Sequence, residues 1–361
     1  MKHRKNAIWR AVLLLMALAI LTTSVAFGGT QAKYAQYIDS GSKGTFEVFH
    51  FLSFKDTNQG HDNKTNASVT FSNVPAGEWA FFARGTNGRD ASTPGVRGKG
   101  AIFLGLYTKA VGGYFTIASI KGGNRHNGSV WPWNYVSGSG GAAACIFDEV
   151  SMTTVTGRTG TARTTANIVV VAGGGGGGGE DARGGDAGGQ TGLQSTSKYV
   201  NGIPGATEGT VSNGIVHGWQ ANSSGAGNQQ SQNRSRNNGG GGGGSTTQGG
   251  QAGNVSAGSG SDGDWFVGGD ARQSGTYASG GGGAGLWGGG GASNRGDGGG
   301  GASYSAATGA VPAAVTSPST YREHAIAYFW SLVNDINGLA MDTTAPSGAQ
   351  GTVILVWLGP V

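Results

Sequence analysis

The chain has a single cysteine, Cys145, in 361 residues. That excludes an intramolecular disulfide framework and a cysteine-built zinc site. The fold must hold by packing and backbone hydrogen bonds. Charge is scarce as well: Asp, Glu, Lys and Arg make up 12% of the chain, about half the usual ~25%. The net charge of +5 does not mark a nucleic-acid binder, because Lys2, Arg4, Lys5 and Arg10 lie in the first 32 residues, which contain no acid. Setting those 4 aside leaves 20 of the 24 basic residues against 19 acidic ones. Such a balance has no electrostatic footprint for a phosphate backbone. The histidines (His3, His50, His61, His126, His217 and His324) form no H-x-x-x-H pair, and no serine sits in a nucleophile elbow. No enzyme chemistry, metal or cofactor is signalled.

Glycine, by contrast, is abundant: 75 residues, about a fifth of the chain against a usual share near ~7%. Yet 37% of residues are hydrophobic and nine are tryptophan, so wholesale disorder is not expected. Long apolar runs are confined to the start. Met1 to Arg10 is a basic n-region, and Ala11 to Leu21 is an apolar run of signal-peptide length. Small-residue cleavage patterns end at Ala26 and at Ala32, so residues 1–32 read as a signal peptide. The alternative is a retained anchor, since Ala11 to Gly28 could almost span a bilayer. After cleavage no membrane span remains, and the expected address is secreted or cell-surface. The junction from Gly28 to Tyr37 resembles the export junction of camelysin-type matrix proteins of Gram-positive bacteria. That likeness implies a bacterial source and an extracellular compartment.

From Gly44 to Ala172 the sequence reads as short strands rich in aromatic and β-branched residues. They fall at 46–51, 69–71, 79–83, 101–107, 114–120, 144–147 and 168–171, with Gly, Asn, Asp and Pro in the gaps. Regular short strands with such turn signals indicate an antiparallel β-sandwich. Val353 to Leu358 is apolar on both faces and is expected in the middle of a sheet. The sandwich, begun by residues 33–172, is therefore completed only by residues 351–361.

Between these parts, residues 173–304 hold about 48 of the 75 glycines, a density far above the usual share. The runs are Gly173–Gly179, Gly239–Gly244, Gly280–Gly283, Gly288–Gly291 and Gly298–Gly301. Glycine does not recur strictly every third residue, which excludes collagen. A flexible linker is the bland alternative, but Trp219, Trp265, Phe266 and Trp287 interrupt the runs and hydrophobic strands flank them. Polyglycine in the polyproline II conformation has three residues per turn, and such helices can pair their N–H groups with carbonyls of neighbours. A polyglycine II bundle is the expectation here. In residues 305–350, Thr320 to Glu323 matches a capping box and predicts one short α-helix over about 321–337, stopped near Gly338.

Several segments carry a family pattern. Val69-Thr70-Phe71-Ser72-Asn73-Val74-Pro75-Ala76-Gly77-Glu78-Trp79 resembles the opening strand pair of the glycine-rich extracellular domain. That domain occurs in anaplastic lymphoma kinase and leukocyte tyrosine kinase receptors and in secreted bacterial glycine-rich proteins. Residues 97–103 and 140–147 are similar to later strands of the domain, and Asn167 to Ala172 running into Gly173–Gly179 is the most specific match. The resemblance implies a jelly-roll-like sandwich from which packed polyglycine II loops project, with an extracellular recognition or structural role. No kinase and no membrane-proximal cysteine module accompany it.

Other motifs carry less. The glycine run satisfies G-x-G-x-x-G trivially but no helix follows it, so a dinucleotide is not expected. Gly258 to Asp264 faintly resembles one calcium β-roll repeat, and a lone repeat builds no site. Arg295-Gly296-Asp297 is an integrin-type tripeptide that glycine abundance explains by coincidence. Trp131, Trp133 and Tyr135 in a turn-rich loop are the candidate ligand-binding residues, with Trp287 between two glycine runs. Such rings stack on sugars or anchor a protein partner; packing where the sandwich meets the bundle is the other option. The expected function is a non-enzymatic adhesin or binding module for a cell-surface glycan or protein. The alternative is a self-associating extracellular matrix or filament component, with ice binding a minor third.

Overall fold

Alternation along the hydrophobic segments sorts their side chains onto two faces, and both faces are covered. In the computed structural model, the described residues are 32–34, 50–53, 66–89, 98–126, 137–179, 184–187, 211–212, 215–216, 240–245, 247–255, 258–272, 278–293, 296–340 and 351–361. The strands are β1 (Ala32–Tyr34), β2 (His50–Ser53), β3 (Ala67–Val74), β4 (Gly77–Arg84), β5 (Ile102–Lys109), β6 (Gly113–Ile120), β7 (Ala143–Asp148) and β8 (Ile168–Ala172). After them come β9 (Val211–Ser212), β10 (Ile215–Val216), β11 (Asn254–Val255), β12 (Gly258–Ser259), β13 (Tyr304–Ser305) and β14 (Thr352–Gly359). The described residues also include two α-helices, α1 (Met152–Thr156) and α2 (Tyr321–Ala340), and a 3-10 turn at Gly160–Ala162.

The protein is mostly β. Two five-stranded antiparallel sheets have the orders β1-β2-β14-β4-β5 and β13-β8-β7-β6-β3; β9–β10 and β11–β12 are separate two-stranded ribbons. β14 lies at the centre of the first sheet, between β2 and β4, as its two-sided apolar pattern requires. The chain passes from the second sheet to the first at Pro75 and Ala76. Gly77 enters β4 at φ 132°, and a Cβ there would lie 2.3 Å from the carbonyl oxygen of Gly359.

Three buried clusters show what the alternation accomplishes. Trp79, Phe81, Val353 and Leu355 of the first sheet meet Phe115, Ile117, Ile146 and Val170 of the second. Trp79 and Phe115 touch edge to face across the sandwich, 5.4 Å between centroids. The intervening residues Phe82, Ile354, Val356 and Leu358 face outward from the first sheet and are covered by Ala325, Ile326, Phe329 and Val333 of α2. Cys145, Phe147 and Val171 on the outer face of the second sheet pack under Trp265, Phe266, Ala284 and Leu286 of the glycine region. The layers therefore run helix, sheet, sheet, glycine region. Cys145 is free and buried, and burial pushes its thiol pKa up.

The capping box forms as the sequence predicts. Thr320 Oγ1 accepts from the Glu323 N–H at 3.3 Å, and Glu323 Oε2 accepts from the Thr320 N–H at 3.1 Å. α2 runs past the expected stop, through Gly338 to Ala340. An isolated helical glycine costs only about 1 kcal/mol relative to alanine, too little to force an end.

Candidate functional site

In the glycine region the backbone itself supplies the contacts. Gly174 and Gly177 donate to Ala284 and Gly281, Gly175 and Gly178 donate to Thr86 and Arg89, and Gly176 donates to Gly185. A partner segment thus returns every third residue. The run at 280–286 repeats the pattern: Gly280, Gly283 and Leu286 donate to Gly296, Gly299 and Ala302, while Gly281 and Ala284 donate to Gly138 and Gly141. Gly282 donates to Gly269. Strand pairing would give a period of two.

Close approach explains the composition. A Cβ on Gly176 would sit 1.9 Å from the Gly298 carbonyl oxygen, and one on Gly282 would sit 2.0 Å from that of Gly289. Segments 85–89, 98–101 and 138–141 belong to the same network. They lie outside the 173–304 interval that glycine density marks, because each contributes only a few glycines to a shared lattice.

The ends of the network are closed by acidic and amide side chains. Asp186 Oδ1 accepts from the Lys99 N–H at 2.7 Å, Asp270 Oδ1 from the Asn124 N–H at 2.7 Å, and Asn87 Oδ1 from the Gly100 N–H at 3.0 Å. Asp262 Oδ1 accepts from the Ala252 N–H at 2.6 Å. Asp297 is fully buried and its carboxylate accepts from the Gly179 N–H, so the acid of the integrin-type tripeptide faces inward. The repeated Gly-Gly-Asp at 184–186 and 268–270 is the sequence signal that could have revealed these caps.

Trp287, a candidate binding residue, is half-buried at the margin of this network. Its ring meets Trp265 edge to face at 5.2 Å, and the Arg163 guanidinium lies over it at 5.1 Å. Arg163 pairs with both oxygens of Asp264, at 2.8 and 3.0 Å. Trp265 is buried and donates its indole N–H to the Val155 carbonyl of α1 at 2.8 Å. Trp265 is therefore core, whereas Trp287 is half-buried with a guanidinium over its ring, a chemistry suited to a sugar or a polar peptide. Trp131, Trp133 and Tyr135 lie outside the described residues. Among the described residues no group of three or more His, Cys, Asp or Glu could hold a metal ion, and no helix is long and apolar enough to cross a membrane.

No family model matches the chain, and no curated protein matches it.

Proposed function

We propose that this protein is a secreted or surface-displayed, non-enzymatic binding module, an adhesin that presents loops from a glycine lattice mounted on a β-sandwich. One observation carries the reading. Every N–H of the runs 173–179, 280–284 and 288–292 is bonded inside the molecule, including those of Gly173 to Ser303 Oγ and Gly179 to Asp297. A matrix protein that polymerised through such a lattice would need unspent donors on a face, as an exposed sheet edge has. The three-residue recurrence of partners supports reading the segments as polyglycine II helices. It is also what the resemblance to the glycine-rich extracellular domain, with its jelly-roll-like sandwich, leads one to expect.

The ligand class that fits aromatic loops is a cell-surface glycan or a protein. The test is a screen of glycans and whole cells with the wild type, with Trp131 and Trp133 replaced by alanine, and with Trp287→Ala. The reading expects a ligand whose affinity falls about tenfold or more in at least one variant. Binding indifferent to all three substitutions would place recognition elsewhere. A protein that binds nothing but itself would favour the matrix alternative.

A further inference from the structure

Lys109, the last residue of β5, is 2% exposed. A charge at that depth must be paired, or it gives up its proton. Its Nζ contacts Asp148 Oδ1 and reaches Glu149 Oε1 at 2.5 Å. The Phe115 ring forms an apolar wall, 4.9 Å from Nζ to its centroid. The other oxygen of Asp148, Oδ2, accepts the Tyr107 hydroxyl at 2.7 Å.

Three features distinguish this group from an ordinary ion pair. The amine and the carboxylate come from opposite sheets, Lys109 from the end of β5 and Asp148 from the end of β7. The two oxygens of Asp148 have different partners, one on the amine and one on a phenol. Glu149 is held in place by unusual means. Its backbone has φ 55°, a conformation that costs free energy and clusters at functional positions. Its Oε1 accepts from the Tyr114 N–H at 2.8 Å. It also fills the space where any Cβ on Gly113 would have to go, 1.9 Å away.

We propose that Lys109 and Asp148 condense into an intramolecular isopeptide bond that joins the two sheets, with Glu149 carrying the proton and Tyr107 holding the oxyanion. The ammonium first gives a proton to Asp148 Oδ1, which leaves the neutral amine and carboxylic acid that condensation requires. The Nζ lone pair then attacks Asp148 Cγ. Glu149 takes a second proton from Nζ while Tyr107 steadies the negative charge on Oδ2. The Cγ–Oδ1 bond breaks, Glu149 returns its proton to the departing hydroxyl, and one water leaves. One N–C bond replaces one C–O bond, net charge is unchanged, and no oxidant or metal is required. Supporting this division of labour, the Lys109 hydrogen bond holds the Glu149 carboxyl below its ordinary range. Burial, with Asp148 beside it, pushes the Tyr107 hydroxyl up, so it remains a donor. Fixed proximity supplies the rate that free amine and acid lack in water.

Mass spectrometry of the purified, folded full chain tests the proposal. The wild type is expected to be lighter than its sequence by one water. Its digest should contain a branched peptide joining Lys109 to Asp148, with no tryptic cleavage after Lys109. Lys109→Arg retains the cation and should keep the full mass. Asp148→Asn should lose ammonia in place of water, and Glu149→Gln should slow bond formation by about a hundredfold or more. A folded wild type of full mass overturns the proposal, leaving a buried ion pair. So does a water loss confined to the Asp148 peptide alone, which would be a cyclic imide.

Discussion

The side chain that glycine lacks decides the tolerance of each position, and lattice glycines differ widely from a surface glycine in what a methyl group would meet. At Gly282 a Cβ would lie 2.0 Å from a carbonyl oxygen of another segment, whereas at exposed Gly309 the nearest atom is a Leu106 methyl at 3.7 Å. Gly282→Ala is therefore expected to destabilise by at least the ~1–3 kcal/mol of an overpacked core. Gly309→Ala should be neutral or slightly stabilising, through the unfolded chain. Urea unfolding midpoints of the two variants check the contrast. The caps allow a similar comparison. Asp270→Ala orphans the part-buried Asn124 N–H and should cost about 1–3 kcal/mol. Asp262 is exposed, so water can replace it and Asp262→Ala should cost distinctly less. None of this was legible residue by residue. Composition shows that glycines are required somewhere, but the clash at Gly282 depends on Gly289 and exists only once the segments are packed.

At the scale of elements, the strands and α2 were readable because their patterns are local. Trp79 to Ala83 and Val353 to Leu358 carry apolar residues on both faces, and the structure covers both faces of each. The capping box fixes where α2 begins, and Phe329 fixes how it docks. Phe329→Ala is expected to cost about 3–5 kcal/mol, read from thermal or urea unfolding. The cap also gives α2 a pH dependence. Hydrogen bonds from Ser319, and then from the Thr320 N–H, hold the Glu323 carboxyl below its ordinary value of 4.5. A depressed pKa contributes stability that is complete above the ordinary value and is lost as pH falls through the depressed one. Circular dichroism across the acid range should show helix loss in the wild type that is absent from Glu323→Gln, whose signal stays at one lower level. What the pattern did not reveal is the end of α2, since Gly338 is a weak stop without a competing cap.

At the scale of the whole molecule, the sandwich presents one outer face to a helix and the other to a glycine lattice, and both meet it through ordinary hydrophobic contacts. The lattice draws on segments 85–89, 98–101 and 138–141 as well as the dense glycine runs. Its assembly therefore depends on sequence-distant pairing that no window of residues can display. The candidate site was legible only in part. Trp287 stands out as an aromatic residue between glycine runs, but Arg163, which lies over its ring and pairs with Asp264, comes from a part of the chain that no motif links to it. The functional account depends on where the lattice spends its hydrogen bonds. If its donors are satisfied internally and its ends are capped by Asp186, Asp270 and Asp297, the lattice is closed and the protein displays it. If not, the lattice is a surface for adding further copies. Sedimentation velocity on residues 33–361 over a wide range of concentration, with negative-stain images of the same samples, separates the two most directly. The account predicts one species whose sedimentation does not change with concentration. Fibres, or an open series of growing oligomers, would contradict it.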